Sequence, residues 1–328
     1  MRTGKISENI LKRSVLRLIK THRDEVIKGA EVGGDCAFLS WKDTGGMTAF
    51  STQTISLPVK NAAYLAVMAA VNNLAAQGAE AAAVLLSLTL PEASSEDMLK
   101  EVMGQAQRCS EKLHIQIAGG HTEVSTAVRS PVITVTAAGR ADGSLCQEKG
   151  DASNMDIVLA KWIGLEGTAI LALEKEEELA KRLPSRLIAK AKGCEDCLSI
   201  AKEAAIALKS GVYTMHDVRN GGVFGALWEL SQKIGVGLTV NLRDIPIRQE
   251  TVEICEFYDL NPYELLSGGA LLMVAENGQR LTEALREGGV LASVIGKTNA
   301  GNDKVVINRD ETRYLTMPSA DEIFKVSF

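Results

Sequence analysis

Three short stretches of the chain bring together groups that could carry chemistry. Gly33-Gly34-Asp35 sets two residues without side chains ahead of a carboxylate. In a loop, that order can bend backbone amides against a phosphate while Asp35 holds a divalent metal, since magnesium prefers anionic oxygen; a plain Gly-Asp turn is the alternative reading. Gly119-Gly120-His121-Thr122-Glu123 follows a short strand pattern. Its glycines would admit close backbone approach of a ligand, and His121 and Glu123, two residues apart, point to one face of an extended segment. Such a pair can shuttle a proton, ligate a metal or simply share a hydrogen bond. His216-Asp217, with Arg219, Asn220, Gly221 and Gly222 at the entry to a helix, would gather an acid, a cation and free amides into an anion pocket, unless the stretch is only a capping turn.

The elements that must position these residues are readable from periodicity. Met47 to Leu57 alternates like a strand and stops at Pro58, while Asn61 to Gln77, rich in Ala, Leu, Val and Met and closed by Gly78, reads as a largely buried helix. Ala82 to Leu90 is a second strand, Ser94 or Ser95 caps a helix to about Lys112, and His114 to Ala118 is a short strand running into Gly119-Gly120. Pro131 to Gly139 is another strand. From Gly139 to Met155 the sequence turns to Gly, Asp, Ser and Asn, which marks a linker. Two domains are therefore expected, residues 1–140 and 150–328. In the second, the pattern predicts a strand at Asp156 to Lys161, a long charged helical region from Glu166 to about Ser210 interrupted by Pro184, and an amphipathic helix at Val223 to Ile234. Strands are expected near Gly237 to Leu242, Ala270 to Ala275, Val290 to Gly296 and Lys304 to Asn308.

Composition narrows the function classes. A chain of 328 residues, 46% apolar and 23% charged, has the make-up of an ordinary globular protein. Net charge of -5 and only 4% aromatic residues argue against nucleic acid, whose binders present a basic face and stacking platforms. The polar start shows no secretory signal, and the longest apolar runs fall far short of the ~20 residues a membrane span needs, so a cytoplasmic location without membrane contact is expected. Six scattered cysteines suit reduced thiols. Only Cys194 and Cys197 form a C-x-x-C pair; within a helical stretch, helix-surface cysteines are the favoured reading over a metal or redox motif.

Taken in order, the segments resemble the PurM-like superfamily of aminoimidazole ribonucleotide synthetase, selenophosphate synthetase, thiamine-monophosphate kinase and the hydrogenase maturation factor that dehydrates a carboxamide to a nitrile with ATP. The similarity is greatest to the maturation factor (HypE-like), through Gly119-Gly120-His121-Thr122-Glu123-Val124, Glu166-Gly167-Thr168-Ala169-Ile170-Leu171-Ala172, Met215-His216-Asp217, Pro246-Ile247-Arg248-Gln249-Glu250-Thr251 and Ser267-Gly268-Gly269. The resemblance implies an α+β, two-domain fold: an N-terminal sheet that pairs with its copy in a homodimer, and a C-terminal α/β sandwich. It implies ATP or ADP held through magnesium, and a protein partner.

In that pattern Asp35 is the metal ligand, and Gly33, Gly34, Gln53, Asn73, Gly119, Gly120, Thr122, Glu123, Arg219, Asn220, Gly221 and Gly222 fall at nucleotide-binding positions. His121, His216 and Asp217 are the candidates for proton transfer. Several acids of the pattern are replaced: Gly34 precedes Asp35, Gln53 stands in the strand, Asn73 in the helix, His121 in the turn, and Asn220 before the Gly-Gly pair. Amide oxygens can coordinate magnesium without neutralising it. If each lost carboxylate removed ~1.4 kcal/mol, three losses would weaken the metal complex on the order of a thousandfold. The implied activity is ATP-dependent phosphorylation of a substrate oxygen; the alternative is a degenerate, non-catalytic nucleotide-binding or scaffold homodimer.

Overall fold

The computed structural model describes residues 4–5, 8–28, 38–39, 47–141 and 150–328. Gly33, Gly34 and Asp35 lie outside the described residues, as do Cys36 and Cys146. The chain divides into two compact units, Met1–Leu74 with Ala79–Gly143 and Phe328, and Ala75–Gly78 with Ser144–Ser327.

In chain order the first unit carries strands β1 (Gly4–Lys5), β2 (Val26–Lys28), β3 (Phe38–Leu39), β4 (Met47–Ile55), β5 (Ala79–Pro91), β6 (Gln116–Ser125) and β7 (Val132–Ala141), with helices α1 (Glu8–Ser14), α2 (Ala62–Ala76) and α3 (Glu96–Leu113). Five strands form one sheet in the order β1-β6-β5-β7-β4, and β2 pairs with β3 apart from it. Only β5 and β6 run parallel. A parallel pair needs a crossover, and α3 supplies it. That helix starts where Ser95 accepts a hydrogen bond from the Met98 amide at 3.1 Å and ends at His114 in a left-handed conformation. The helix α2 is apolar nearly all round and accordingly buried, with Ala63, Ala66, Val67 and Ala70 fully inaccessible. Gln105 of α3 fixes its entry, accepting from the Ala63 amide at 3.2 Å and donating to the Lys60 carbonyl.

Alternation gives this sheet two unlike faces. One is apolar and buried, through Val84, Leu86, Leu88 and Leu90 of β5 and Ile133, Val135 and Ala137 of β7. The other is a field of hydroxyls and exposed apolar groups: Thr52 bonds Thr136 and Thr54 bonds Thr134, both at 2.9 Å, between Phe50, 69% exposed, and Leu85, 41% exposed.

The second unit contains β8 (Asp156–Ala160), α4 (Leu165–Glu174), α5 (Glu176–Leu179), α6 (Ser185–Lys192), α7 (Ala201–Lys209), β9 (Thr214–Val218), α8 (Gly222–Ile234), β10 (Leu238–Asn241), α9 (Gln249–Tyr258), β11 (Ala270–Ala275), α10 (Gly278–Glu287), β12 (Ala292–Thr298), β13 (Lys304–Asn308) and β14 (Glu311–Tyr314). Its seven strands lie in the order β14-β13-β10-β12-β8-β11-β9, antiparallel except for β10 with β13. Both faces are covered. Ile157, Leu159, Leu272 and Val274 pack with Val223, Leu227 and Leu230 of α8; Val158, Ala160, Leu271 and Met273 pack with Ala204 and Ala207 of α7 and with Leu281 and Leu285 of α10. Burial on both sides explains why β8 and β11 read as unbroken apolar runs rather than alternating ones.

The long helical region expected from Glu166 to about Ser210, interrupted by Pro184, is built of four helices, with a 3-10 turn at Gly193–Cys197 between α6 and α7. Pro184 accounts for one break. The others separate an all-apolar helix from the charged ones that cover it. The strand expected to end before Gly119 continues through it to Ser125.

Candidate functional site

In the first unit the structure places Gln53 on the buried side of β4, in register with Val135. Asn73 of α2 donates from Nδ2 to the Ser51 hydroxyl at 3.0 Å. Since Ser51 and Gln53 share a strand face, this bond sets Asn73 beside Gln53. On β6, Gly119, Gly120, His121, Thr122 and Glu123 pair with Leu85, Leu86, Ser87, Leu88 and Thr89 of β5. Thr122 is buried and His121 exposed, so alternation divides the motif. Gly120 and Thr122 face the helices with Gln53, whereas His121 and Glu123 lie on the open face with their side chains 3.5 Å apart. The histidine and carboxylate do share a face, as their spacing predicts, but it is not the face of the amide pair. Gly120 has φ of 153°, and a Cβ there would stand 1.8 Å from the Leu86 carbonyl oxygen. Close approach of β5 therefore accounts for this glycine without any ligand.

The second unit gathers a buried charge cluster around the end of β9. Asp217 is 8% exposed, and among the described residues neither carboxylate oxygen has a hydrogen-bond partner of good geometry. Burial pushes its pKa from the ordinary 3.8 to about 7; the Arg219 cation opposes the rise and the Glu166 carboxylate adds to it. Arg219 is committed to Glu166 in a two-pronged pair, Nε to Oε2 at 3.1 Å and Nη2 to Oε1 at 2.9 Å. Burial disfavours that cation, but Glu166 more than offsets it and raises the guanidinium's pKa. Lys161, at the end of β8, donates to the carbonyls of Cys197, at 2.8 Å, and Ser199 and pairs with Glu203 of α7 at 3.3 Å. Burial lowers its pKa against the pull of Glu203.

His216 and Asp217 are adjacent in sequence and divided in space. As neighbours on a strand they point to opposite sides of the sheet, and His216 meets Glu229 of α8 at 2.9 Å. The two cannot act on one atom.

The amides expected to form an anion pocket at the start of α8 are already used. Gly221 N donates to Asp321 Oδ2 at 2.7 Å, Gly222 N to the Arg219 carbonyl at 3.1 Å and Phe224 N to the Tyr263 carbonyl at 3.1 Å. Asp321 also accepts from the amides of Leu266 and Ile323, each at 3.0 Å. Burial pushes its pKa up to about 6 in spite of these three amides. The anion in the pocket is thus a side chain of the protein itself. Both glycines are needed by the turn: Gly221 and Gly222 have φ of 72° and 60°, and a Cβ on Gly222 would meet the Tyr263 carbonyl at 2.4 Å. Asn220 is exposed beside them.

Local patterns did not single out Lys161, Glu203 or Asp321. Glu166 had a signal, as the lone acid opening the otherwise apolar run Leu165 to Leu173, all of it buried but the last residue. The partners of the other three lie far along the chain, 100 residues away for Asp321 and Gly221.

Comparison with known proteins agrees with this architecture. Residues 33–141 match the AIR synthase related protein N-terminal domain, and residues 154–308 match the C-terminal domain. A protein of Methanocaldococcus jannaschii named for hydrogenase expression/formation is 27% identical, over 98% of this chain and 97% of its own. The carbamoyl dehydratase HypE of Rhodobacter capsulatus is 25% identical over 79% of this chain and 77% of its own. Among solved structures, the hydrogenase maturation protein HypE in complex with ATP superposes with a TM-score of 0.78 at 20% identity, covering 98% of this chain and 97% of that one. With both domain matches in order along one chain, and with relatives and fold in agreement, this protein belongs to the AIR synthase related protein family.

Proposed function

We propose that the protein binds ATP and uses it to phosphorylate an oxygen of its substrate, working as a homodimer. The observation that carries this reading is the contact of Asn73 with β4 beside Gln53, which assembles two of the nucleotide positions into one cluster on a chain whose full length follows an ATP-complexed relative. Gly33, Gly34 and Asp35 complete the proposed site. Magnesium would neutralise charge on the phosphates there. The protein would supply the Asp35 carboxylate with the amide oxygens of Gln53 and Asn73, since among the described residues no three His, Cys, Asp or Glu side chains converge to hold a metal. Phosphoryl transfer demands positioning and charge neutralisation more than covalent chemistry from the protein, so a site poor in acids remains serviceable.

The open face of the first unit's sheet is where a second copy would dock. It is the side that combines exposed Phe50 and Leu85 with paired threonines, and sheets pack face to face through such surfaces.

The replaced acids favour a second reading, a nucleotide-binding scaffold without turnover. Thermal unfolding with ATP and ADP, each with and without magnesium, tests both. Ligand at one hundred times its dissociation constant stabilises by about 2.7 kcal/mol, a shift of a few degrees in a domain of this size. A magnesium-dependent shift together with ATP turnover is the expected result. A shift without turnover selects the scaffold, and no shift at millimolar nucleotide refutes ATP binding. Gln53→Asp combined with Asn73→Asp should tighten magnesium binding, and unchanged affinity would refute the placement of those residues.

A further inference from the structure

Cys194 and Cys197 do not sit on the surface of a long helix. They occupy the second and last positions of the 3-10 turn Gly193–Cys197. With three residues per turn and a rise of ~2.0 Å, residues three apart on a 3-10 helix eclipse one another with Cα atoms about 6 Å apart. That falls inside the ~4.4–6.8 Å Cα window a disulfide requires, and the turn must tighten to bring the two Cβ atoms to the ~3.5–4.5 Å the bond also needs. An α-helix would rotate the same pair away from eclipse.

The two thiols differ in access. Cys194 is fully buried, with its sulfur 3.7 Å from Nη1 of Arg248, and burial pushes its pKa up to about 11. Cys197 is partly exposed. Its carbonyl is one of the two that hold the Lys161 ammonium. The remaining described cysteines, Cys109 and Cys255, are both buried.

We propose that Cys194 and Cys197 form a thiol–disulfide exchange site for low-molecular-weight disulfides of the glutathione class, with Cys197 as the attacking thiol and Cys194 as the resolving one. In the first step the Cys197 thiolate attacks one sulfur of the small disulfide; the old S–S bond breaks and one small thiolate leaves, taking up a proton from water. In the second step Cys194 gives its proton to solvent and its sulfur attacks that of Cys197, expelling the second small thiol. Two protein thiols are oxidised and one small disulfide is reduced to two thiols, so two electrons and two protons balance. The new bond locks the turn whose last carbonyl, that of Cys197, accepts from Lys161, which ties the oxidation state of the pair to the charge cluster around Asp217.

The test uses the full chain, folded, in glutathione buffers stepped from mostly reduced to mostly oxidised, quenched with acid and an alkylating agent. Cleavage after Lys192 and Lys202 yields one peptide holding both cysteines and no other. The expected result is a conversion of that peptide from doubly alkylated to an unalkylated form lacking two hydrogens, reversed by dithiothreitol. Cys194→Ser should accumulate the small thiol as a stable adduct on Cys197, and Cys197→Ser should cut the rate of reaction at this peptide at least about tenfold. Persistent double alkylation across the range, or equal reaction of Cys197→Ser, would overturn the proposal; a reaction seen only after the chain is unfolded would do the same.

Discussion

Replacing Asp217 by asparagine should change how the stability of the second unit depends on pH. In the native protein burial pushes the carboxyl of Asp217 from 3.8 up to about 7. A tenfold change in proton affinity is worth about 1.4 kcal/mol, so the rise costs the ionised native state about 4 kcal/mol. The sign follows from proton counts. Between about pH 4 and pH 7 the native state holds the proton that the unfolded chain has released, so stability falls as pH rises through that window. The cost is absent below it and fully present above it. Asparagine cannot titrate. It still leaves a buried polar group short of partners, a penalty of about 1–3 kcal/mol, but that penalty does not vary with pH. From pH 5 to pH 8 the wild type should therefore lose about 3 kcal/mol that the variant keeps. Urea denaturation followed by the fluorescence of Trp162 and Trp228, both in the second unit, measures the difference, with Trp41 replaced by Phe to silence the remaining tryptophan. Asp321, raised in the same direction to about 6, contributes a slope common to both proteins and cancels in the comparison. Parallel stability curves for the two would refute the idea that Asp217 is held protonated.

Gly120→Ala should destabilise the first unit by about 3 kcal/mol or more, because the added methyl would lie 1.8 Å from the Leu86 carbonyl and backbone, not a flexible side chain, must give way; a loss below about 1 kcal/mol in chemical denaturation would contradict the strand-packing account of this glycine. Leu85→Arg should convert a dimer into a monomer in light scattering coupled to gel filtration while leaving the circular dichroism spectrum unchanged, since it places a charge in the centre of the open sheet face; equal mass for both proteins would remove that face as the contact.

The sequence-based boundaries are closest where one element can satisfy its own pattern. The apolar run at Ala62–Ala76, the alternation at Met47–Ile55 and the amphipathic Gly222–Ile234 stand within a few residues of their expected positions. Failures came where local pattern is weak or partners are distant. β14 is exposed at all four positions and so shows no alternation to detect; it exists because β13 offers it an edge. The region from Glu166 to Ser210 has helical composition on both sides of Pro184, and what breaks it elsewhere is packing of separate segments around α4. The candidate site was legible as residue types but not as an arrangement. That His121 and Thr122 look to different faces requires the register of β6 on β5, and that the Gly221 amide is occupied requires knowing where Asp321 lies.

The contact of Asp321 with the Gly221 turn also bears on how the protein is made. A chain emerging from the ribosome presents Gly221, Leu266 and Asn261 well before residues 321 and 322, whose carboxylates accept the amides of all three. Until then those donors have only water to turn to, and the glycine turn that feeds α8 lacks its anchor. Domains tend to mature in order of synthesis, so the first sheet can settle early while the glycine turn of the second unit waits for Asp321. A nascent chain stalled before Asp321 would leave the second unit unlatched at that turn.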